Sequence, residues 1–236
     1  MKNIIYEDEY ILVAYKPAGI ATQTKRIGQQ DMVSELLNYL NKKDGNRSSE
    51  TEPYIGLVHR LDQPVSGLLV FAKTKEAAAF LSKQMDNGKF GKHYYAVVLG
   101  KPQKDKGVLE DYLYKDAHSN MTKVVDKTFP EAKNAVLEYS TVKTLWAIEN
   151  DTEATLLDIK LQTGRHHQIR VQLSNAGMPI LGDTKYGSIR SKEFSRDSAC
   201  RNVALCAYKL SFVHPVTKET MTFERTPEDD IFEAFL

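Results

Sequence analysis

The hydrophobic and polar positions change rhythm repeatedly along the chain, and each change marks an element. Ile4-Ile5-Tyr6 and residues 10–15 predict two short strands on either side of the acidic turn Glu7-Asp8-Glu9. Lys16-Pro17-Ala18-Gly19 closes the second strand with turn residues. Val33, Leu36, Leu37 and Leu40 fall at helical spacing behind Asp31, which suits a helix N-cap. Residues 41–53 contain no side chain able to join a core, so they read as an exposed, mobile loop, not a domain boundary. Residues 54–58 predict a short strand leading into His59-Arg60-Leu61-Asp62, after which Gln63-Pro64-Val65-Ser66-Gly67 turns the chain. The unbroken apolar run Leu68-Leu69-Val70-Phe71-Ala72 is the pattern of a buried central strand. A helix is expected from about Lys75 to Met85 with Ala78, Phe80, Leu81 and Met85 inward, followed by a strand at residues 90–99.

The second half is mostly strand and turn, with strands predicted at 108–113, 121–125, 132–145 and 154–161. Thr163-Gly164-Arg165 interrupts this pattern. Ile169, Leu173 and Ala176 then recur at helical spacing, and Gly177 sits where a helix C-terminus is capped. Residues 203–212 predict a late strand, and the acidic tail 224–233 reads as solvated surface. Strands dominate without regular βαβ alternation, which predicts an α+β fold: a mixed, mostly antiparallel sheet with flanking helices. No repeat divides the chain, and residues 1–236 are expected to form a single domain.

Composition narrows the class. The chain has 236 residues, 42% hydrophobic and 27% charged, as in ordinary folded soluble proteins. No apolar run approaches the roughly 18–20 residues that span a bilayer. The N-terminus meets acids after two apolar residues, unlike a signal peptide, so the expected location is the cytoplasm, with no membrane partner. Cys200 and Cys206 are the only cysteines, too few for a structural zinc site, and read as buried reduced thiols. Neighbouring side chains point to different sides of a helix or strand, so the pair His166-His167 makes a poor metal pincer. The net charge of +1 supplies no global basic field, though a local basic cleft can still hold a phosphate backbone. There is no phosphate loop, dinucleotide fingerprint or G-x-S-x-G elbow. The reading is therefore chemistry carried by side chains with no cofactor, nucleotide or metal, which admits isomerisation and hydrolysis but not oxidation or kinase-type transfer.

Three segments combine uncommon polar residues with punctuating glycines. They are His59-Arg60-Leu61-Asp62-Gln63-Pro64-Val65-Ser66-Gly67; Lys92-His93-Tyr94-Tyr95-Ala96; and Thr163-Gly164-Arg165-His166-His167-Gln168-Ile169-Arg170, running on to Gly177-Met178-Pro179-Ile180-Leu181-Gly182-Asp183 and Tyr186-Gly187. With Lys16-Pro17-Ala18-Gly19 and His214-Pro215-Val216-Thr217 they resemble, in order, the motifs of the RluA family of pseudouridine synthases. The resemblance runs from about Ile4 to Phe223. Many members carry an N-terminal S4-type RNA-binding module; the resemblance starts at about Ile4, so the form without that module is expected. Members often have a histidine shortly after the Lys-Pro-Ala-Gly motif. This chain has Ala21-Thr22-Gln23-Thr24, a departure expected to leave the chemistry untouched.

The resemblance implies the pseudouridine synthase catalytic fold, with a central cleft, and isomerisation of specific uridines in ribosomal or transfer RNA. Breaking the uracil N1–C1′ bond and rejoining through C5 consumes nothing, in keeping with the missing cofactor motifs. It needs an ionised carboxylate, and a nearby guanidinium favours ionisation. By resemblance Asp62 is that carboxylate, and Arg170 is the arginine that pairs with it through a planar fork. Tyr94 matches the family's active-site tyrosine, which would stack on a base flipped out of the RNA, with proton abstraction as a second role open to it. Arg60, Leu61, Lys92 and Arg165 complete the RNA-facing set, Leu61 as the loop's buried anchor. RNA is the expected partner and a monomer the expected state.

Plainer readings stand beside these. Tyr94 and Tyr95 are strand neighbours, so only one faces a given side, and either suits a core. Arg60 suits a loop-bracing salt bridge. His59, His166 and Gln168 read as hydrogen-bonding supports. Lys83, Lys89, Lys92 and His93 form either a solvated face or a phosphate-holding rim. A catalytically silent RNA-binding protein or RNA chaperone of the same fold is the alternative function. A glycosidase would need a second acid facing Asp62, and no segment nominates one.

Overall fold

The computed structural model describes residues 3–26, 28–44, 52–147, 152–198 and 200–236. Its contacts divide the chain into two compact units, Met1–Gly91 with Tyr208–Thr226, and Lys92–Ala207 with Pro227–Leu236. Both are α+β, and every strand register resolved within them is antiparallel.

The first unit contains β1 (Ile4–Glu7), β2 (Ile11–Lys16), α1 (Met32–Asp44), β3 (Gly56–Leu57), β4 (Ser66–Ala72) and α2 (Lys75–Asp86). The apolar runs behave as their pattern requires, since every residue of β2 and β4 is buried. They pair from Ile11↔Ala72 to Lys16↔Gly67, with β1 on the other edge of β2. Asp31 caps α1 by accepting the Ser34 N–H at 2.8 Å, and Met32, Leu36 and Leu40 form the buried stripe. The helix continues through Asp44, so residues 41–44, expected in a loop, are its last turn. A polar final turn ending in Lys42 and Lys43 suits a solvated helix C-terminus as well as a loop. The rest of that expected loop lies outside the described residues up to Thr51.

In α2 the inward face differs from the expected one, comprising Ala77, Leu81 and Gln84. Gln84 is tolerated there because its amide imitates a strand neighbour. It donates to the Val213 carbonyl and accepts the Val213 N–H, both at 2.8 Å. Phe80 is left nearer the surface, with the Lys218 ammonium 3.7 Å from its ring centre.

The second unit contains β5 (Gly91–Leu99), β6 (Lys106–Asp116), β7 (Met121–Val125), β8 (Lys133–Ala147), β9 (Thr152–Leu161), α3 (Gln168–Asn175) and α4 (Ile189–Asp197). Its strands lie in the order β5-β9-β8-β6-β7. A last pair of strands, β10 (Leu205–Val213) and β11 (Thr220–Glu224), form a hairpin that returns to the first unit from Tyr208 onward. Helix α4 escapes sequence reading because it is polar nearly throughout. It is set by its Ser188 cap, whose hydroxyl accepts the Ser191 N–H at 3.1 Å. The acidic tail is also not plain surface. Its carboxylates flank Phe232 and Phe235, which are 1% and 7% exposed. Among the described residues no helix is long and apolar enough to cross a membrane.

Candidate active site

Asp62 opens the turn that leads into β4, with the Val65 N–H closing on the Asp62 carbonyl at 3.1 Å. The segment after β2 grips this turn on both sides of Asp62. Upstream, the Thr22 hydroxyl donates to the Leu61 carbonyl at 2.9 Å and accepts the Leu61 N–H at 3.2 Å. Downstream, the Gly19 N–H donates to the Gln63 carbonyl at 2.8 Å, and Gln63 Nε2 returns to the Gly19 carbonyl at 3.0 Å. Gly19 has φ 87°, so the Lys-Pro-Ala-Gly turn needs its glycine. Lys16 is wholly buried, and its ammonium donates to the carbonyls of Pro17 (3.0 Å), Ile20 (2.7 Å) and Gln63 (3.1 Å). Three oriented carbonyl dipoles stand in for water around a charge that burial would otherwise penalise. His59 serves as a support: its Nε2 accepts the Val70 N–H at 3.3 Å. Leu61 is 7% exposed and anchors the turn, whereas Arg60 is exposed.

In the second unit, β5 carries Lys92 and Tyr94 two residues apart, hence on one face, with Tyr95 on the other. Tyr94 is 7% exposed and Tyr95 less enclosed, so the more deeply buried of the two is the one the motif nominates. Burial pushes the Lys92 ammonium below the ordinary lysine range. Its Nζ lies close to Gly164, where a side chain's Cβ would stand 3.2 Å away. Lys83, Lys89, Lys92 and His93 thus do not share one environment: Lys83 and Lys89 are exposed and Lys92 is largely enclosed.

The loop before α3 is knotted to β8. Thr163 Oγ1 accepts the Val136 N–H at 2.9 Å and donates to Gln168 Oε1 at 2.8 Å, while Gln168 Nε2 donates to the Val136 carbonyl at 3.1 Å. Arg165 Nε reaches the Asn134 carbonyl at 2.9 Å. This knot fixes where α3 begins. Arg170, on the helix's first turn, gives Nε and Nη2 to the two carboxylate oxygens of Asp183 at 2.7 and 2.8 Å. Burial works to raise the Asp183 pKa, but the Arg170 fork and the N–H groups of Tyr186 and Lys185 outweigh it and hold the carboxyl below its ordinary range. The guanidinium also lies 5.2 Å from the Tyr186 ring centre.

Two polar partners were not singled out from sequence. Asp183 belongs to the Gly-Met-Pro-Ile-Leu-Gly-Asp run, but no spacing rule ties it to Arg170. Tyr186 bridges two elements: its hydroxyl accepts the Thr122 N–H at 2.9 Å and is hydrogen-bonded to His167 Nδ1 at 2.7 Å. The expectation that His166 and His167 diverge is corrected. Their rings stack with centres 3.6 Å apart, because His167 adopts left-handed backbone (φ 53°) at the start of α3 and strand or helix alternation does not apply. His166 Nδ1 is hydrogen-bonded to Thr122 Oγ1 at 2.7 Å, so both rings are engaged in bracing contacts.

Residues 10–175 match the model of a family described as RNA pseudouridylate synthase. Ribosomal large subunit pseudouridine synthase D of Nitrosomonas europaea is 35% identical over 232 residues, covering 97% of this chain, which spans 63% of that relative's length. The tRNA pseudouridine synthase C of Vibrio parahaemolyticus is 30% identical over 242 residues, covering 99% of this chain and 93% of that protein. Among solved structures, human RNA Pseudouridylate Synthase Domain Containing 1 superposes with a TM-score of 0.74 at 20% identity, over 95% of this chain and 83% of that one, a likeness of fold. The chain belongs to the RNA pseudouridylate synthase family, in its RluA-type branch, as the ordered motifs implied.

Proposed function

We propose that this protein converts specific uridines in RNA to pseudouridine with Asp62 as the essential carboxylate. Family membership carries the class of reaction. The observation that carries the residue is the turn around Asp62, whose neighbours on both sides are pinned by side-chain and backbone bonds from residues 16–22. A group that must meet one atom of a flipped nucleotide gains from such pre-organisation. Tyr94 receives the uracil face, and Arg170, whose guanidinium Asp183 orients, is the third catalytic residue. Arg60, Arg165 and Lys92 contact the RNA, Lys92 as an enclosed cation suited to one phosphate or carbonyl oxygen. Leu61 anchors the turn. Residues 1–236 act as a single catalytic domain, in the cytoplasm, as a monomer, with RNA as the partner and without a nucleotide cofactor.

The relatives named for ribosomal and transfer RNA leave two substrate classes. Pseudouridine mapping of ribosomal and transfer RNA from cells with and without the gene tests the proposal. A site lost on deletion and restored by wild type, but not by Asp62→Asn, supports it. An unchanged map, with no activity of the purified protein on either RNA class, favours the silent RNA-binding reading.

A further inference from the structure

We propose that Thr22 is a positioning residue for Asp62, acting through the peptide groups of Leu61. The inference rests on reading Asp62 as the reaction's carboxylate. Leu61 is buried but belongs to no strand, so no sheet neighbour supplies partners for its backbone. The Thr22 hydroxyl supplies both: it donates to the carbonyl and accepts the N–H of this one residue, from 39 positions away in sequence. Thr22 is itself 3% exposed, so water does not compete for either bond.

Thr22 is also well anchored. Its carbonyl accepts the Val33 N–H at 3.3 Å, and the Ala21 carbonyl accepts the Met32 N–H at 3.0 Å, at the start of α1. Asp31 takes the Thr24 N–H at 2.6 Å on one oxygen while capping α1 with the other. A rigid helix start is thereby connected through one hydroxyl to the residue preceding Asp62. Lys16 and Gly19 hold the other flank through Gln63, so loss of Thr22 takes away the two bonds that fix the Leu61 peptide on the upstream flank. The Leu61 peptide would then lose both of these bonds, and a shift near 1 Å in the adjoining Asp62 is enough to cost about 100-fold in rate.

The test compares wild type, Thr22→Val, Thr22→Ser and Asp62→Asn in single-turnover tritium release from RNA labelled at uracil C5, with RNA affinity measured separately by filter binding. Hydrogen exchange of the Leu61 amide serves as a structural readout. Thr22→Val keeps the side-chain shape and removes the hydroxyl, and Thr22→Ala carries the same test should the valine variant fold poorly. The expected result is a rate lowered roughly 10- to 100-fold in Thr22→Val, unchanged RNA affinity, faster Leu61 exchange, and recovery of rate and protection in Thr22→Ser. A wild-type rate in Thr22→Val, or a loss that serine does not rescue, overturns the inference. Full release by Asp62→Asn would instead overturn the reading of Asp62 itself, whatever the threonine variants do.

Discussion

Asp183→Asn removes the negative partner from a pair that is almost wholly enclosed, with Arg170 4% and Asp183 2% exposed. The wild-type carboxylate accepts two bonds from the Arg170 guanidinium, at 2.7 and 2.8 Å, and two backbone N–H groups, from Lys185 at 3.0 Å and Tyr186 at 3.1 Å. Asparagine keeps one acceptor oxygen but takes away the carboxylate charge that the buried guanidinium grips through two bonds. Breaking a buried pair from one side costs about 3–5 kcal/mol. For a chain of this length each kcal/mol lowers the melting temperature by about 2–4 °C, so the variant should melt roughly 6–20 °C below wild type. Thermal unfolding followed by circular dichroism at pH 7 measures this, and Arg170→Met/Asp183→Leu should recover much of the loss because neither charge remains. The difference should also depend on pH. The folded Asp183 carboxyl is held below its ordinary value, so the unfolded chain takes up the proton first as pH falls. The pair's contribution is complete above about pH 4 and is lost as pH drops through the folded value. Wild type and variant should converge in acid. A variant melting within about 2 °C of wild type at pH 7 would refute the reasoning.

Gly182→Ala should be among the most damaging single-methyl changes. Gly182 has φ 74°, and a Cβ there runs into the Asn202 carbonyl, so a loss of about 3 kcal/mol or more is expected by chemical denaturation, against about 1 kcal/mol at Gly88, where φ is 65° but the space is open. Lys16→Met leaves three carbonyls without their ammonium and should cost about 3 kcal/mol, with unfolding midpoints as the measure; an unchanged midpoint would show that the buried cation does not hold the turn. Burial, with Asp229 adding to it, pushes the Cys200 thiol up to about 11. Its alkylation at pH 8 should therefore be about two orders of magnitude slower in the native protein than in the unfolded chain, and equal rates would contradict the buried environment.

Much of the fold was legible because burial follows apolar pattern. The run from Leu68 to Ala72 is β4, and Gly177, at φ 75°, ends α3 as its position predicted. The failures share a cause: polar side chains were satisfied by backbone, which periodicity does not register. Gln84 faces inward because Val213 completes its amide. Helix α4 buries Ser191, Phe194 and Ser195 rather than an apolar stripe. At the candidate site, motif order nominated Asp62, Tyr94 and Arg170. The partners that orient them were illegible because they come from distant segments. Thr22 read as a departure without consequence, yet it holds Leu61. Asp183 and Tyr186 read as parts of a motif, and only folding shows which side chains they meet.

Tritium release from RNA labelled at uracil C5, measured for wild type and Asp62→Asn on ribosomal and transfer RNA, tests the central claim most directly. Rejoining the base through C5 must expel the label, so wild type should release tritium in proportion to pseudouridine formed, and Asp62→Asn should release none above background while still folding and binding RNA. Release by Asp62→Asn at the wild-type rate would contradict the assignment of the carboxylate, and no release by wild type on any cellular RNA would contradict the proposed reaction.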